Sequence, residues 1–244
     1  LGFTGEYGIT GGAGVEFDNF RGKGQKLNIG ASTGTNFSIY TTQEPSKYRS
    51  LNISFQDPMI NDSPYLVGAS IFYSFRGSST NYYFPLDFTV GGAVASFGRR
   101  LEWPDDFFRV MWSAKFMQKE YEGSQSDIDN YIGGLQKTRG ISLSQVLSRD
   151  SRNRAEFPTN GSTFILENTY SGGFLGGNEN FQKHMLTLDW FTPTFSKFVL
   201  YNSVKLGVIK TIDVGDDIQS FVPFDERFIM GGNGIPYGLS LIHI

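Results

Sequence analysis

Cysteine is absent from the 244 residues, which excludes disulfides and thiolate metal sites. Charge is also scarce, because Asp, Glu, Lys and Arg together make up 18% of the chain and the formal net charge is −3. No global positive field is available to attract nucleic acid, so we expect no nucleic-acid partner. No apolar run approaches the roughly 18 residues that a membrane-spanning helix needs. Helical periodicity is hard to find as well, which favours an all-β chain.

Glycine and aromatic residues are abundant, with 30 Gly, 23 Phe and 12 Tyr. Many of them lie in segments that alternate with a period of two, the pattern of a β-strand with unlike faces. In the segment FRVMWSAKFMQ, Val110, Trp112 and Phe116 share an apolar face, and Arg109 and Lys115 lie on the opposite one. Asp189 and Lys205 occupy the polar faces of two later segments. These four charged residues are predicted to face the interior of a barrel, where they line a selective pore or solvate a water-filled lumen.

The alternation predicts ten strands, several of them about ten residues long, which is the length that a tilted strand needs to cross a bilayer. They lie at 7–20, 25–41, 47–56, 65–75, 86–99, 107–120, 140–150, 162–172, 184–194 and 198–212. Short turns at one end alternate with longer polar loops at the other, including the loop at 122–136. This is the pattern of outer-membrane proteins, and we predict an all-β antiparallel transmembrane β-barrel. Aromatic residues near the strand ends fit its interfacial girdle.

One turn between two predicted strands is unusually elaborate, with the sequence RDSRNRAEFPTNGSTF from Arg149 to Phe164. It resembles a motif of the BamA superfamily of outer-membrane assembly barrels, in which an Arg/Asp-rich strand end precedes a turn of the form P-x-x-G. The matching positions are Arg149, Asp150, Arg152, Pro158 and Gly161. The resemblance places this turn at the periplasmic rim, with Pro158 fixing φ and Asn160-Gly161 supplying positive φ. The arginines are expected to brace the barrel wall or to receive a loop folded into the lumen.

Two further segments resemble the same superfamily, in the right order along the chain. The opening GFTGEYGITGGAGVEFDNFRGKGQ is similar to its first hairpin and second strand, and FVPFDERFIMGGNGIPYG is similar to the approach to its sixth extracellular loop. The residues of that approach are Phe224, Glu226, Arg227, Phe228, Gly231 and Gly232. Glu226 and Arg227 are expected either to anchor the base of this loop or to form a simple loop pair. The overall similarity is to assembly factors of Bacteroidota-type bacteria.

The resemblance implies a barrel of 16 strands, of which this chain would hold about 10 or 11. It implies a protein of the bacterial outer membrane that folds and inserts client barrels, without enzymatic chemistry and without a cofactor. Its expected partners are the lipid bilayer, nascent outer-membrane proteins and accessory lipoproteins. A secretion transporter of the same superfamily, a passive porin-like barrel and a soluble β-sandwich are the alternatives.

Both ends of the chain depart from a complete member of that superfamily. The chain begins at Leu1 without a signal peptide, so we expect its N-terminus to have been cut away. It ends LSLIHI, the translation of CTGTCTCTTATACACATC, which resembles a transposase adapter used in sequencing. We therefore expect residues 1–238 to be a partial barrel domain and 239–244 to be a non-native read-through tail.

No residue pattern indicates a metal or phosphate site. The glycines of GGNG at 231–234 precede neither Lys-Ser/Thr nor a helix, so a phosphate-binding loop is not expected. His184 has no second credible histidine, which argues against a metal centre and against a Ser-His-Asp set. The aspartates of DVGDD at 213–217 are expected to be a solvated extracellular loop.

Overall fold

The structure, a computed structural model, describes residues 2–4, 8–35, 47–78, 85–213, 222–223 and 226–228. Its strands form one antiparallel sheet in which every strand pairs with its neighbours in sequence. The strands are β1 (Gly2–Thr4), β2 (Gly8–Phe20), β3 (Gln25–Thr35), β4 (Lys47–Asp57), β5 (Tyr65–Arg76), β6 (Asp87–Arg100), β7 (Phe108–Glu122), β8 (Lys137–Asp150), β9 (Gly161–Ser171), β10 (Phe181–Pro193) and β11 (Val199–Thr211). Among the described residues β1 and β11 do not pair with each other, so the sheet is an open, incomplete barrel.

The ten predicted strands are confirmed as β2 to β11. The largest boundary shifts within the described residues are the earlier starts of β8 and β10. Both strands start earlier because their first residues continue the antiparallel pairing with the preceding strand. Lys137 lies opposite Glu120 of β7, and Phe181 lies opposite Ser171 of β9. The predicted strand at 25–41 is described only to Thr35.

The two faces of the sheet differ in the way that the alternation predicts. One face carries large apolar side chains in register across strands, such as Ile53 opposite Ile71 and Leu186 opposite Leu206. These side chains are unusually exposed for apolar groups, with Ile71 65% and Val208 63% exposed. A face of exposed aliphatic and aromatic groups is what a lipid-contacting barrel surface requires. We call it the outer face, and we call the opposite face, with its polar side chains, the lumenal face.

The long-loop end contains a helix that the alternation did not predict. The segment 122–136 was predicted to be a loop, but residues Gln125–Ile132 form helix α1. The Ser124 hydroxyl accepts a hydrogen bond from the Asp127 backbone N–H and caps the helix, and Gly133 ends it in the left-handed conformation. Ile128 and Ile132, four residues apart on one side, are each 1% exposed.

A small hydrophobic cluster closes this end of the sheet. Ile128 and Ile132 of α1 pack with Leu86 and Tyr121, and Phe88 lies against them. The rings of Phe88 and Tyr121 stack with centroids 5.1 Å apart. The cluster fixes α1 on the lumenal side of β6 and β7, because Phe88 and Tyr121 both project from that face. Within the described residues, no helix has the length and apolarity to cross a membrane.

Candidate functional site

A segment beyond β11 folds back onto the lumenal face of β10 and β11. The Lys183 ammonium donates to the Glu226 carboxylate at 2.9 Å and to the Glu226 backbone carbonyl at 3.0 Å. The two side chains are 20% and 22% exposed. Partial removal from water strengthens the attraction between opposite charges relative to an open surface. The pair therefore fixes Glu226 against the strand that carries Lys183.

Phe228 adds a second contact between this segment and the sheet. Its ring centroid lies 5.4 Å from the Lys183 ammonium, within the range of a cation–π interaction. The ring also covers Gly207 of β11, where an added Cβ would lie 2.5 Å from the ring Cζ. A glycine is required at this point because another side chain would occupy the position of the ring. Lys183, Gly207, Glu226 and Phe228 together form what we call the Lys183 anchor.

The rest of the predicted sixth-loop base is described only in part. Arg227 is exposed, and its Nε donates to the Val222 carbonyl at 3.0 Å. The Glu226 N–H donates to the Pro223 carbonyl at 3.0 Å, which links the two described parts of this segment. Phe224, Gly231 and Gly232 lie outside the described residues.

A second loop is held on the lumenal face by a similar set of groups. Glu179, in the loop between β9 and β10, lies 3.1 Å from the Lys119 ammonium, and the two side chains are 1% and 0% exposed. The Thr138 hydroxyl donates to the Glu179 carboxylate at 2.7 Å. An added Cβ at Gly140 would lie 2.6 Å from that carboxylate. We call Lys119, Thr138, Gly140 and Glu179 the Lys119 anchor.

The rim motif lies at the short-turn end of β8. Arg149 donates through Nε to the Asp105 carboxylate at 2.7 Å and through Nη1 to the Ser151 hydroxyl at 3.0 Å. Its guanidinium also covers the rings of Phe107 and Phe108, at 5.5 and 5.8 Å from their centroids. These contacts tie the end of β8 to the turn that precedes β7. Such contacts are compatible with a brace, which stays one of the two roles predicted for the motif.

Asp150 and Arg152 form a compact pair at the same rim, beyond the part of β8 that crosses the bilayer core. The Asp150 carboxylate accepts hydrogen bonds from the Arg152 backbone N–H at 3.1 Å, from Nε at 2.9 Å and from Nη2 at 2.7 Å. The side-chain hydrogen bond from Arg152 lowers the pKa of Asp150 below its ordinary value, against a smaller opposing effect of burial. The pair therefore stays ionised and holds the start of the turn.

The turn itself is closed by Asn153 and Gly161. The Asn153 side-chain oxygen accepts from the backbone N–H groups of Thr159 and Asn160, at 3.0 and 3.2 Å, on the far side of Pro158. Gly161 has a φ of 104°, and an added Cβ would lie 2.3 Å from the Ser151 carbonyl oxygen. The prediction that Asn160-Gly161 supplies positive φ holds for Gly161 alone. Asn160 contributes differently, because its side-chain oxygen accepts from the Gly161 N–H at 2.7 Å.

The structure places Arg109, Lys115, Asp189 and Lys205 on the lumenal face, as their alternation with outer-face residues requires. The Asp189 carboxylate accepts hydrogen bonds from the Thr163 hydroxyl at 3.0 Å and from the Tyr201 hydroxyl at 2.9 Å. Asp189 thereby links β9, β10 and β11 near the short-turn end. The part of the chain that the structure describes contains no group of three or more His, Asp or Glu side chains able to hold a metal ion.

The sequence predicted one of the two anchors in part and missed the other. Glu226 was a candidate for the base of the sixth loop, whereas Lys183, Gly207 and the whole Lys119 anchor were not singled out. One signal was available in the sequence. Gly140 and Gly207 occupy lumenal positions inside long strands, and a glycine there often marks a close approach of another group.

Comparison with known proteins agrees with this architecture. A family profile for the Omp85 superfamily domain matches residues 19–240. The chain is 28% identical over 195 residues to the outer membrane protein assembly factor BamA of Nitratidesulfovibrio vulgaris, an alignment that covers 76% of this chain and 22% of the relative. The crystal structure of BamA from Haemophilus ducreyi lacking POTRA domains 1–3 matches with a TM-score of 0.73 at 18% identity, over 95% of this chain and 43% of that chain. The chain thus spans less than half of either relative, and it belongs to the Omp85 superfamily of outer-membrane β-barrel proteins.

Proposed function

We propose that the protein assembles other β-barrel proteins and inserts them into the outer membrane. The observation that carries the proposal is the Lys183 anchor. It holds Glu226 and Phe228 against the lumenal wall, at the point where the sequence resembles the approach to the sixth loop of assembly barrels. The similarity to a protein named as an assembly factor supports the same function.

The proposed work is non-covalent and needs no cofactor. A strand that enters lipid must keep its backbone N–H and C=O groups hydrogen bonded, because no water is present there to replace a lost partner. A client strand that pairs with an open edge of this barrel exchanges one set of hydrogen bonds for another. In this proposal nascent outer-membrane proteins are the clients, and accessory lipoproteins deliver them.

The Lys183 anchor has a defined part in this proposal. An edge that opens and closes needs the remaining wall to stay rigid, since packed elements otherwise deform together. By fixing Glu226 and Phe228 to β10 and β11, the anchor keeps this part of the chain against the wall while the edge exchanges partners. Arg149, Asp105, Asp150 and Arg152 stiffen the rim of the same wall.

Depletion of the protein in its source bacterium tests the proposal. Quantitative proteomics of isolated outer membranes is expected to show a several-fold loss of many unrelated barrel proteins, with lipoprotein levels unchanged. Selective loss of one secreted protein would instead identify a secretion transporter. Unchanged barrel levels with reduced uptake of small solutes would identify a passive porin. Either of these results would overturn the proposal.

A further inference from the structure

We propose that the outer face at the short-turn end of β5, β6 and β7 binds an anionic glycerophospholipid of the periplasmic leaflet, with its phosphate on Arg99 and one acyl chain along β6. The inference is independent of the proposed function, since it concerns the lipid-facing wall rather than the lumen. It rests on the position and pairing of one arginine, on the rings beneath it and on the shape of the wall beyond it.

Arg99 lies at the level of the bilayer where lipid headgroups are found. It is the second-last residue of β6 and projects from the outer face, in register with Tyr65 and Val110. Its side chain is exposed. A cation on the lipid-facing surface of a barrel is costly at the bilayer midplane and nearly free of cost at the interface. The location therefore suits an arginine that meets lipid phosphate.

The charge of Arg99 is available for a ligand. Its guanidinium lies over the ring of Tyr65, 5.6 Å from the centroid, and it has no carboxylate partner among the described residues. Arg149 makes a useful contrast at the same rim. It also covers aromatic rings, but Asp105 accepts its Nε hydrogen bond at 2.7 Å and neutralises it. Arg149 is a brace, whereas the planar fork of Arg99 is free to donate to phosphate oxygens.

A row of stacked rings orients this guanidinium. The Tyr65 and Phe97 rings stack with centroids 5.5 Å apart and planes at 25°, and the Phe97 and Trp112 rings stack at 6.0 Å and 23°. Phe97 and Trp112 are both more than 40% exposed on the outer face. Aromatic side chains of this kind are enriched at the boundary between headgroups and acyl chains. Together with Tyr65 they form a row of rings beside the arginine.

Beyond the platform, small side chains leave a furrow along β6. Ala69, Ala95 and Ala114 lie side by side on β5, β6 and β7, and Ala93 and Gly91 continue along β6. Tyr73 and Phe116 flank the far end of the furrow, where a depression of about 430 Å³ opens beside Gly91 and Ala93 on the outer face. An alkyl chain fits such a strip of alanine and glycine between aromatic ridges, because it gains contacts there that a flat wall does not offer.

The dimensions agree with a single lipid. Ala93 lies six positions before Arg99, which is about 20 Å along a strand. A barrel strand tilted by about 40° converts this into about 15 Å of bilayer depth. That depth is one leaflet of a hydrocarbon core about 30 Å thick. A lipid whose phosphate contacts Arg99 therefore has an acyl chain long enough to lie along the alanines and reach the near edge of the depression at Ala93.

Native mass spectrometry of the full-length protein in detergent, titrated with phosphatidylglycerol or phosphatidylcholine, tests the site. Wild-type protein is expected to bind phosphatidylglycerol more tightly. The Arg99→Gln variant is expected to bind it about fivefold more weakly, the effect of one cation at a lipid surface. Arg49→Gln is the matched control, because Arg49 is an exposed outer-face arginine at the opposite end of β4, without a stacked ring among the described residues. It is expected to leave affinity unchanged.

Two further variants separate charge from geometry and guard against a folding defect. Arg99→Lys keeps the charge and loses the planar fork, so an intermediate affinity is expected. Tyr65→Leu keeps an apolar group and removes the ring, so a loss of about twofold to fivefold is expected. Equal losses in Arg99→Gln and Arg49→Gln would show non-specific attraction and would overturn the proposal. Equal wild-type affinities for the two lipids would overturn it as well.

Discussion

The two anchors on the lumenal face are built from the same parts in different surroundings. Each joins a strand lysine to a loop glutamate beside a glycine that makes room for the loop: Lys119, Glu179 and Gly140 in one, Lys183, Glu226 and Gly207 in the other. The Lys119 pair is fully buried, whereas the Lys183 pair is about one-fifth exposed. The first therefore behaves as part of the core, and the second as a contact that solvent can weaken.

Burial decides what each pair does when it is disturbed. Two charges in a dry site gain a large mutual attraction but lose their hydration, so the intact pair adds little net stability while a broken pair costs a great deal. A partly exposed pair gains less mutual attraction and also loses less of its hydration. The Lys119 anchor is thus suited to a permanent connection, and the Lys183 anchor to one that can be broken at a lower cost in free energy.

The largest effect is expected when the buried pair is broken. Lys119→Met strands the Glu179 carboxylate in a dry site and should lower the free energy of unfolding by about 3–5 kcal/mol. Urea unfolding of the full-length protein in detergent, followed by tryptophan fluorescence, measures it. Lys119→Met combined with Glu179→Leu should recover most of the loss. Additive losses in the double variant would contradict the account.

A smaller effect is expected when the Lys183 anchor is crowded. Gly207→Ala places a methyl group where the Phe228 ring lies, and overpacking of this kind costs about 1–3 kcal/mol. The displaced segment should expose the Arg227 peptide bond, so trypsin should cleave there about tenfold faster. Gly91→Ala is the control, since its Cβ would meet no atom closer than 3.8 Å. Equal cleavage rates in the two variants would show that Phe228 does not hold the segment.

A still smaller effect is expected when only the charge of Glu226 is removed. Glu226→Gln keeps the shape of the side chain and should weaken the anchor by about 0.5–1 kcal/mol. Trypsin cleavage after Arg227 should rise a few-fold at low salt, and the difference from wild type should shrink in 0.5 M NaCl because salt screens partly exposed charges. Salt should not change the penalty of Lys119→Met. The same salt response at both anchors would contradict the assigned difference in burial.

The exposed pair at the rim should matter least. The Asp150 side chain is 51% exposed, so Asp150→Asn should cost less than about 1 kcal/mol. Because Arg152 lowers the pKa of Asp150 in the folded protein, the contribution is complete above the ordinary aspartate pKa and is lost as pH falls through the lower folded value. Unfolding measured from pH 7 to pH 3 should show the variant and wild type converging at the acid end. A difference in the free energy of unfolding between the variant and wild type that stays constant with pH would rule out the ionised pair as its cause.

The strands could be predicted from the sequence because each one contains its own alternation of apolar and polar residues. In β7, alternation alone assigns Trp112 to one face and Lys115 to the other, and the antiparallel register follows from the order of strands. The rim turn was predictable as well, since Gly161 is required by local backbone geometry. These features depend on neighbours in sequence.

The anchors could not be predicted in the same way because they join distant segments. Lys183 and Glu226 are 43 residues apart, and a lumenal lysine can in principle meet any loop that enters the barrel. Helix α1 was missed for a related reason. Ile128 and Ile132 are the only aliphatic residues of the helix, and they are buried only because they pack against Leu86 and Tyr121, which come from other elements.

A charge exchange across the Lys183 anchor tests the central claim most directly. In cells depleted of the native protein, we would express the full-length protein with Lys183→Glu, with Glu226→Lys or with both, and quantify barrel proteins in the outer membrane. Each single exchange places like charges together and is expected to lower barrel levels, while the double exchange restores them. Wild-type levels in both single variants, or a double variant no better than either, would contradict the claim that this anchor supports barrel assembly.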